Sequence, residues 1–164
     1  MTRENIESLF RNFVFGVEDS LVSTVGLLSG VAAAGEPVRT IVLAGVVLIF
    51  VEAFSMGVGS LLSDNSTKEL NSAGNIPLSR SYLGGITMFI SYFITGFIPL
   101  SPYLFLERTS AFVVSIVISL IALLLLGMFS ARLAHISVVK KGIQMLVLGG
   151  SAIMLGVIVG ALIN

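Results

Sequence analysis

Cysteine is absent from this 164-residue chain, and histidine occurs once. The lack of cysteine excludes disulfide bonds, thiolate metal sites and cysteine nucleophiles. The one histidine, His135, adjoins a basic turn, and no acid–base pair stands beside a candidate nucleophile. We therefore expect no enzymatic activity and no resident cofactor.

Charged residues are also few. They make up 11% of the chain, whereas a soluble domain usually carries about 25%. The 9 basic and 9 acidic residues balance, and no cluster of Lys and Arg is interleaved with aromatic residues, so nothing favours nucleic-acid binding. With 55% hydrophobic residues and a mean hydropathy of +1.05, the composition indicates a protein of the lipid bilayer.

Five apolar segments are each long enough to cross the hydrocarbon core of a bilayer, which takes roughly 20 residues of helix. The connections between them are too short for a second domain. We therefore predict an all-α integral membrane protein, a single transmembrane domain over residues 1–164 with five transmembrane helices. The predicted helices cover about 13–34, 39–62, 81–100, 109–131 and 142–163.

Basic residues are distributed unevenly between the two sides of this five-helix topology. Seven fall on the side of the N-terminus and two on the other side. Because basic residues concentrate on the cytoplasmic side of membrane proteins, we predict a cytoplasmic N-terminus and an external C-terminus. The seven are Arg3, Arg11, Lys68, Arg80, Arg132, Lys140 and Lys141, and the two are Arg39 and Arg108.

Three acidic residues lie inside the apolar segments, namely Glu18, Asp19 and Glu52. Ionised carboxylates are costly in such surroundings unless a cation meets them. On the predicted boundaries no Lys, Arg or His lies at a comparable depth, and Arg11 could reach only Glu18. The sequence thus raises the question of which cation these acids bind.

Helical spacing places these acids on stripes with other polar and small residues. Asp19 and Met56 each lie about six residues, or roughly 9 Å, from the cytoplasmic end of their span, and Glu52 lies one turn deeper. Facing each other, the stripes would offer carboxylates, hydroxyls and a thioether, a set that suits Fe²⁺ or Mn²⁺ better than Ca²⁺ or Mg²⁺. The stripes are Asp19, Ser23, Gly26 and Gly30, and Glu52, Met56, Gly59 and Ser63.

Simpler interpretations of the same residues stay open. Glu18 and Asp19 could lie at the membrane interface, with Asp19 capping a helix that begins later than predicted. Glu52, near the middle of its segment, is either an ion or proton site or a neutral carboxylic acid bonded to a neighbouring helix. In the second case the chain would be a structural or assembly protein of the membrane. Met56 could serve packing alone.

Small residues at four-residue spacing predict close contacts between helices. Two such pairs are Gly26 with Gly30 in the first span and Gly156 with Gly160 in the last. Because the first pair shares the stripe of Asp19, it could bring the first helices of two protomers together. On that interpretation a bulky residue at Gly30 would weaken a dimer.

Four motifs resemble the vacuolar iron transporter family. The stretch "EDSLVSTVGLLSGVAAAG" is similar to that family's first-span signature, in which an Asp-Gly-Leu-Val-Ser-Thr pattern precedes Ser-Gly. The stretch "VEAFSMGVGSLLSD" resembles its second-span Ala-x-Ser-Met-x-x-Gly pattern. "PLSPYLF" and "FSARLAHISVVKKGIQMLVLGG" resemble the end of its third span and its fourth-to-fifth turn. The resemblance covers nearly the whole chain in order.

This resemblance implies a homodimer of five-helix protomers, with a metal path between the first two helices of each protomer. It also implies export of Fe²⁺, and often Mn²⁺, from the cytosol in exchange for protons. The family's metal-binding acid falls on Asp19 and its thioether falls on Met56. Ser23 and Thr24 occupy its polar first-helix positions.

Several positions depart from the family pattern. Ser20 replaces the usual Gly after the acid, and Glu18 replaces the usual Asn before it. Ser60 stands where a Glu commonly follows the Met by four residues. Glu52, one turn to the other side of Met56, occupies a position that we expect to be small in relatives. This pattern fits a carboxylate that has moved along the second helix, which bears on metal preference and proton coupling.

We therefore predict a proton-coupled exporter of Fe²⁺ or Mn²⁺, with another cation as the alternative substrate. Asp19, Met56 and Glu52 are predicted to bind the metal, with Glu18 as an entrance acid. Glu52 is also the predicted proton carrier, because an ionised carboxylate near the bilayer midplane is costly. The predicted translocation path further includes Ser23, Thr24 and Ser60.

The polar segment 63–80 is too short for the Glu-rich metal-collecting domain that plant-type members of the family carry between the second and third spans. The chain therefore resembles a short form, in which capture of the metal falls to the membrane site itself. We expect it in the cell membrane of a prokaryote, or in a vacuolar-type membrane of a eukaryote.

Overall fold

The computed structural model describes residues 3–72 and 81–163, and every regular element in these ranges is an α-helix. Five of the helices are long and apolar enough to span a membrane, which confirms the predicted all-α, five-helix class. The remaining helix is a short turn between the third and fourth spans. The elements are α1 (Arg3–Ala33), α2 (Val38–Ser72), α3 (Tyr82–Leu100), α4 (Pro102–Phe105), α5 (Arg108–Leu133) and α6 (Val138–Ile163).

Helix α1 lies at the centre of the bundle, where it contacts α2, α3, α5 and α6. α2 also packs against α3, and α5 packs against α6. α1, α3 and α6 run in one direction and α2 and α5 in the other, so the start of α1 lies beside the end of α2, the end of α5 and the start of α6. Residues on these four helix ends therefore share one end of the bundle, called here the N-terminal end.

The contact between α1 and α6 depends on glycine. A Cβ atom added at Gly30 would lie 2.7 Å from the carbonyl oxygen of Gly156, so the two backbones nearly touch. Gly160 in turn faces the carbonyl of Gly30. In a membrane such close approach supplies the dispersion contacts that hold helices together. The predicted close-packing surfaces are thus found within one chain, and Gly26 and Gly30 give no support to a contact between two first helices.

Two prolines shape the end of α3 opposite to the N-terminal end. Pro102 lacks an N–H for the carbonyl of Ile98, and the hydroxyl of Ser101 donates to that carbonyl instead at 2.8 Å. The hydroxyl of Ser115 on α5 donates to the carbonyl of Pro99 at 2.7 Å. These bonds satisfy backbone groups that would otherwise be costly inside a membrane and tie α3 to α5.

The helices extend beyond the predicted membrane segments at three places. α1 begins at Arg3, ahead of the predicted start near residue 13, and α6 begins at Val138, ahead of residue 142. α2 continues to Ser72, whereas the sequence interpretation treated residues 63–80 as a connection. An ion pair one turn apart supports the helix in the described part of that connection: Lys68 contacts Asp64 at 2.6 Å. Residues 73–80 lie outside the described ranges.

Candidate metal site

Two carboxyl groups meet in the membrane-spanning part of the bundle. Asp19 of α1 and Glu52 of α2 are both half-buried and lie close enough to interact electrostatically. Two neighbouring ionised carboxylates repel each other, so the pair is stabilised by a cation or by protonation of one of its members. The structure therefore brings together the two acids that lead the predicted stripes.

A tyrosine from a third helix completes this group. Tyr92 of α3 is fully buried, and its hydroxyl lies 2.6 Å from the hydroxyl of Ser23. The phenol also lies within electrostatic reach of both Asp19 and Glu52. The carboxyl pair is thus bordered on the α3 side by two hydrogen-bonded hydroxyl groups.

A cavity of about 890 Å³ opens at the N-terminal end of the bundle, between α1, α2, α3, α5 and α6. Glu18, Met56 and Ser60 all line it. Asp19 is the next residue after Glu18, and Glu52 lies one helical turn from Met56. The lining residues therefore lead along α1 and α2 to the carboxyl pair.

Glu18 has a cationic neighbour that the sequence interpretation did not anticipate. Lys141, in the first turn of α6, interacts electrostatically with Glu18, and both side chains line the large cavity. The sequence prediction begins the fifth span at residue 142 and therefore puts Lys141 in the turn between the fourth and fifth spans. The expectation that no basic residue lies near the acids at their depth is therefore wrong for Glu18. The carboxyl pair of Asp19 and Glu52 is the part of the acidic group that still needs a cation or a proton.

The predicted translocation-path residues do not all line the cavity. Ser60 lines the cavity, and Ser23 lies beside Tyr92. Thr24 is fully buried, and its hydroxyl has no hydrogen-bond partner among the described residues. Asn12, also buried, contributes to the cavity wall, and its amide nitrogen likewise has no partner in the described ranges.

The described residues do not form a complete cage of metal-binding side chains. Within residues 3–72 and 81–163, no group of three or more His, Cys, Asp or Glu side chains could hold a metal ion. Fe²⁺ or Mn²⁺ bound between Asp19 and Glu52 would need further ligands from hydroxyl, thioether or carbonyl groups or from water. The roles of the four predicted metal-binding residues stay predictions.

Sequence reasoning missed Tyr92 and Lys141 for different reasons. Tyr92 lies in an apolar segment without a charge, where an aromatic residue usually serves packing. Its spacing on α3 relates it to no acid, because the partners are on other helices. Lys141 was recognisable only from the start of α6, and helix boundaries are the least reliable part of a sequence-based prediction.

Comparison with known proteins identifies the family of this fold and site. The sequence model of the VIT family matches residues 10–76 and 75–161. The chain is a member of the VIT family. A relative, vacuolar iron transporter 1 of Tulipa gesneriana, is 22% identical over 202 aligned positions, which cover 87% of this chain and 82% of the relative. Together with the five apolar helices, these matches establish a multi-pass integral membrane protein and confirm the resemblance inferred from the motifs.

Proposed function

We propose that this chain exports Fe²⁺ or Mn²⁺ from the cytosol in exchange for protons. The observation that carries the proposal is the meeting of Asp19 and Glu52 from two membrane-spanning helices. A pair of like charges inside a membrane has a high free energy unless an ion or a proton occupies it. Membership of the VIT family and the name of the tulip relative support transport of a metal rather than catalysis.

In the proposed mechanism the metal enters the cavity at the N-terminal end, where Glu18 and Met56 line the walls. It then moves to Asp19 and Glu52, which bind it as carboxylates. The thioether of Met56 favours transition metals over Ca²⁺, because sulfur is a soft ligand. Glu52 releases its proton when the metal binds and takes one up after the metal has left on the other side.

A flux assay tests this proposal directly. Purified protein in liposomes is given Fe²⁺, Mn²⁺, Co²⁺ or Ca²⁺, with and without a pH gradient. We expect flux of the first two ions, stimulated by the gradient, and little flux of Ca²⁺. A structural or assembly protein would show no flux of any ion, and that result would overturn the proposal.

The role of Glu52 has its own test. Glu52→Gln keeps the shape and hydrogen bonding of the side chain but cannot ionise. We expect this variant to retain some metal binding through Asp19, while its flux no longer depends on the pH gradient. Flux measured against pH for the two proteins decides the point, and identical profiles would remove Glu52 from the coupling mechanism.

We further propose that the protein works as a homodimer, in the cell membrane of a prokaryote or in a vacuolar-type membrane of a eukaryote. One protomer supplies two close carboxyl groups to the candidate site but no larger acidic cluster within the described residues. Light scattering of the detergent-solubilised protein measures its mass, and a monomer that transports metal at full rate would contradict the dimer. Opposite accessibility of the two termini would support the five-span topology, and an N-terminus accessible from the cytosol alone would support its predicted cytoplasmic side.

A further inference from the structure

Tyr92 carries a buried hydroxyl group that has no role in the mechanism proposed above. The side chain is fully buried, and its phenol oxygen lies 2.6 Å from the hydroxyl of Ser23. Ser23 is one helical turn beyond Asp19 on α1, on the same face. The hydrogen bond therefore joins α1 to α3 directly beside the carboxyl pair.

The backbone around Tyr92 is held in place by a second bond between the same helices. The hydroxyl of Ser20 donates to the carbonyl of Tyr92 at 2.6 Å. Gly96, one turn further along α3, leaves so little room that an added Cβ atom would lie 3.0 Å from that serine oxygen and 2.7 Å from Ile49 of α2. The phenol of Tyr92 is therefore fixed relative to both helices that carry the acids.

Ser23 pairs with a side chain of another helix, whereas several serines on the membrane helices bond their own backbone. A serine on a helix commonly donates to a carbonyl of its own preceding turn. Ser91, Ser119 and Ser151 do so here, at 3.0, 2.7 and 2.8 Å. Ser23 instead pairs across the bundle with Tyr92, so its oxygen is kept away from its own helix backbone.

We propose that Tyr92 is a positioning residue of the metal site, which orients the Ser23 hydroxyl as an oxygen ligand for the ion between Asp19 and Glu52. A serine hydroxyl has one hydrogen to donate and two lone pairs. When Ser23 donates its hydrogen to the phenol oxygen, both lone pairs stay available to a cation. This inference rests on the proposed function, because it requires a metal between the two acids.

The chain supplies a matched control for this role. Tyr103 on α4 is also buried, and its hydroxyl has no hydrogen-bond partner in the described ranges. It packs in an apolar cluster with Leu28 and Leu100, away from the candidate site. Tyr103→Phe and Tyr92→Phe thus remove the same atom from two buried rings, and only the second removes a bond to Ser23.

The test is a double-mutant cycle of Co²⁺ binding to the full-length protein in detergent, monitored by the visible absorption of the metal. Tyr92→Phe and Ser23→Ala should each weaken Co²⁺ affinity about tenfold, the lower range for loss of a group that orients a ligand. Both should change the absorption spectrum in the same way, because Ser23→Ala removes the ligand oxygen and Tyr92→Phe removes the bond that directs this oxygen to the metal. Combining them should cost no more than either alone, since Tyr92 acts through Ser23. Tyr103→Phe should leave affinity and spectrum unchanged.

Three results would overturn the inference. Unchanged affinity and spectrum in Tyr92→Phe would reduce the residue to packing, and additive losses in the double variant would show an action independent of Ser23. If Tyr92→Phe does not fold, Ser23→Ala breaks the same bond from α1, and an unchanged spectrum in that variant decides against the proposal. Asp19→Asn distinguishes failure of this inference from failure of the proposed function. If that variant abolishes binding while Tyr92→Phe has no effect, the proposed function stands and this inference fails. If the unmodified protein binds no Co²⁺, this inference fails, and the flux of Fe²⁺ and Mn²⁺ decides the proposed function.

Discussion

The N-terminal half of the bundle encloses a cavity with polar groups on its walls, whereas the opposite half is packed through apolar side chains and glycine. In the first half the cavity of about 890 Å³ is lined by residues that include Glu18, Met56 and Lys141. In the second half a cluster that includes Leu28 and Ile41 fills the space between α1, α2 and α3.

This difference suggests that one half of the bundle binds the ion and the other half holds the helices together. In the proposed mechanism an ion that enters the cavity from the N-terminal end reaches its predicted ligands, Asp19 and Glu52, before the packed region. Since buried polar groups cost free energy, a bundle can carry such a site only if other contacts hold its helices together. Variants in the two halves should therefore fail in different ways.

The largest effect on transport is expected at Asp19. Asp19→Asn keeps the size of the side chain but removes its charge, so the metal loses an anionic ligand and flux should fall to the level of empty liposomes. The melting temperature should change little, because the helix packing is untouched. Asp64→Asn is the control, since Asp64 is an acid on the polar extension of α2, paired with Lys68 at 2.6 Å. Normal flux in Asp19→Asn would exclude this carboxylate as a ligand.

The largest effect on stability is expected in the packed half. Gly30→Leu forces a side chain against the carbonyl of Gly156, where an added Cβ atom would already lie 2.7 Å away. Overpacking of this kind costs about 1–3 kcal/mol. Gly150→Leu on α6 is the control, because an added Cβ atom there meets nothing within 4 Å.

Thermal unfolding in detergent, measured at several protein concentrations, compares the two glycine variants. A loss of stability in Gly30→Leu that does not depend on concentration would place the damage in the α1–α6 contact of one chain. A loss of stability that appears only at low protein concentration would instead indicate that Gly30 lies in a contact between protomers.

The sequence predicted much of the polar half and less of the contacts that surround it. The five helices follow from the length of the apolar segments. The sequence also matches Asp19 in depth with Met56 and puts Glu52 one turn deeper on the same stripe, from which the proximity of the two acids follows. The partner of Gly30 did not follow, because a small-residue stripe indicates a close contact without naming the helix that makes it. The neighbour of Glu18 did not follow either, since it depends on whether Lys141 falls in a turn or in the first turn of α6.

Met56→Leu should have a moderate effect on selectivity. Leucine fills a similar volume but lacks sulfur, so the preference for Mn²⁺ over Ca²⁺ should fall roughly tenfold, equal to about 1.4 kcal/mol. Met154→Leu, at an exposed position on α6, is the control for the same chemical change. Competition of Ca²⁺ with Mn²⁺ flux measures the preference. If the two variants compete alike, Met56 contributes packing to the cavity wall and no metal ligand.

The smallest effect on transport is expected at Lys141, which tests the charge at the mouth of the cavity. This side chain interacts with Glu18 at the cavity wall, so Lys141→Gln leaves the acid without its cationic neighbour and makes the cavity more negative. A more negative cavity raises the local concentration of divalent cations. Interactions of partly exposed charges are worth about 0.2–1 kcal/mol, so the KM for Mn²⁺ should fall two- to threefold at low salt with kcat unchanged.

Lys140→Gln is the matched control for this last variant, because it removes the same charge from the neighbouring, exposed position. The difference between the two variants should shrink as salt is added, since screening weakens the field at the cavity mouth. Initial flux rates over a range of Mn²⁺ concentrations, at low and at high salt, provide the measurement. An increase in KM for Lys141→Gln would mean that the lysine orders Glu18 for capture of the metal rather than competing with the metal for it.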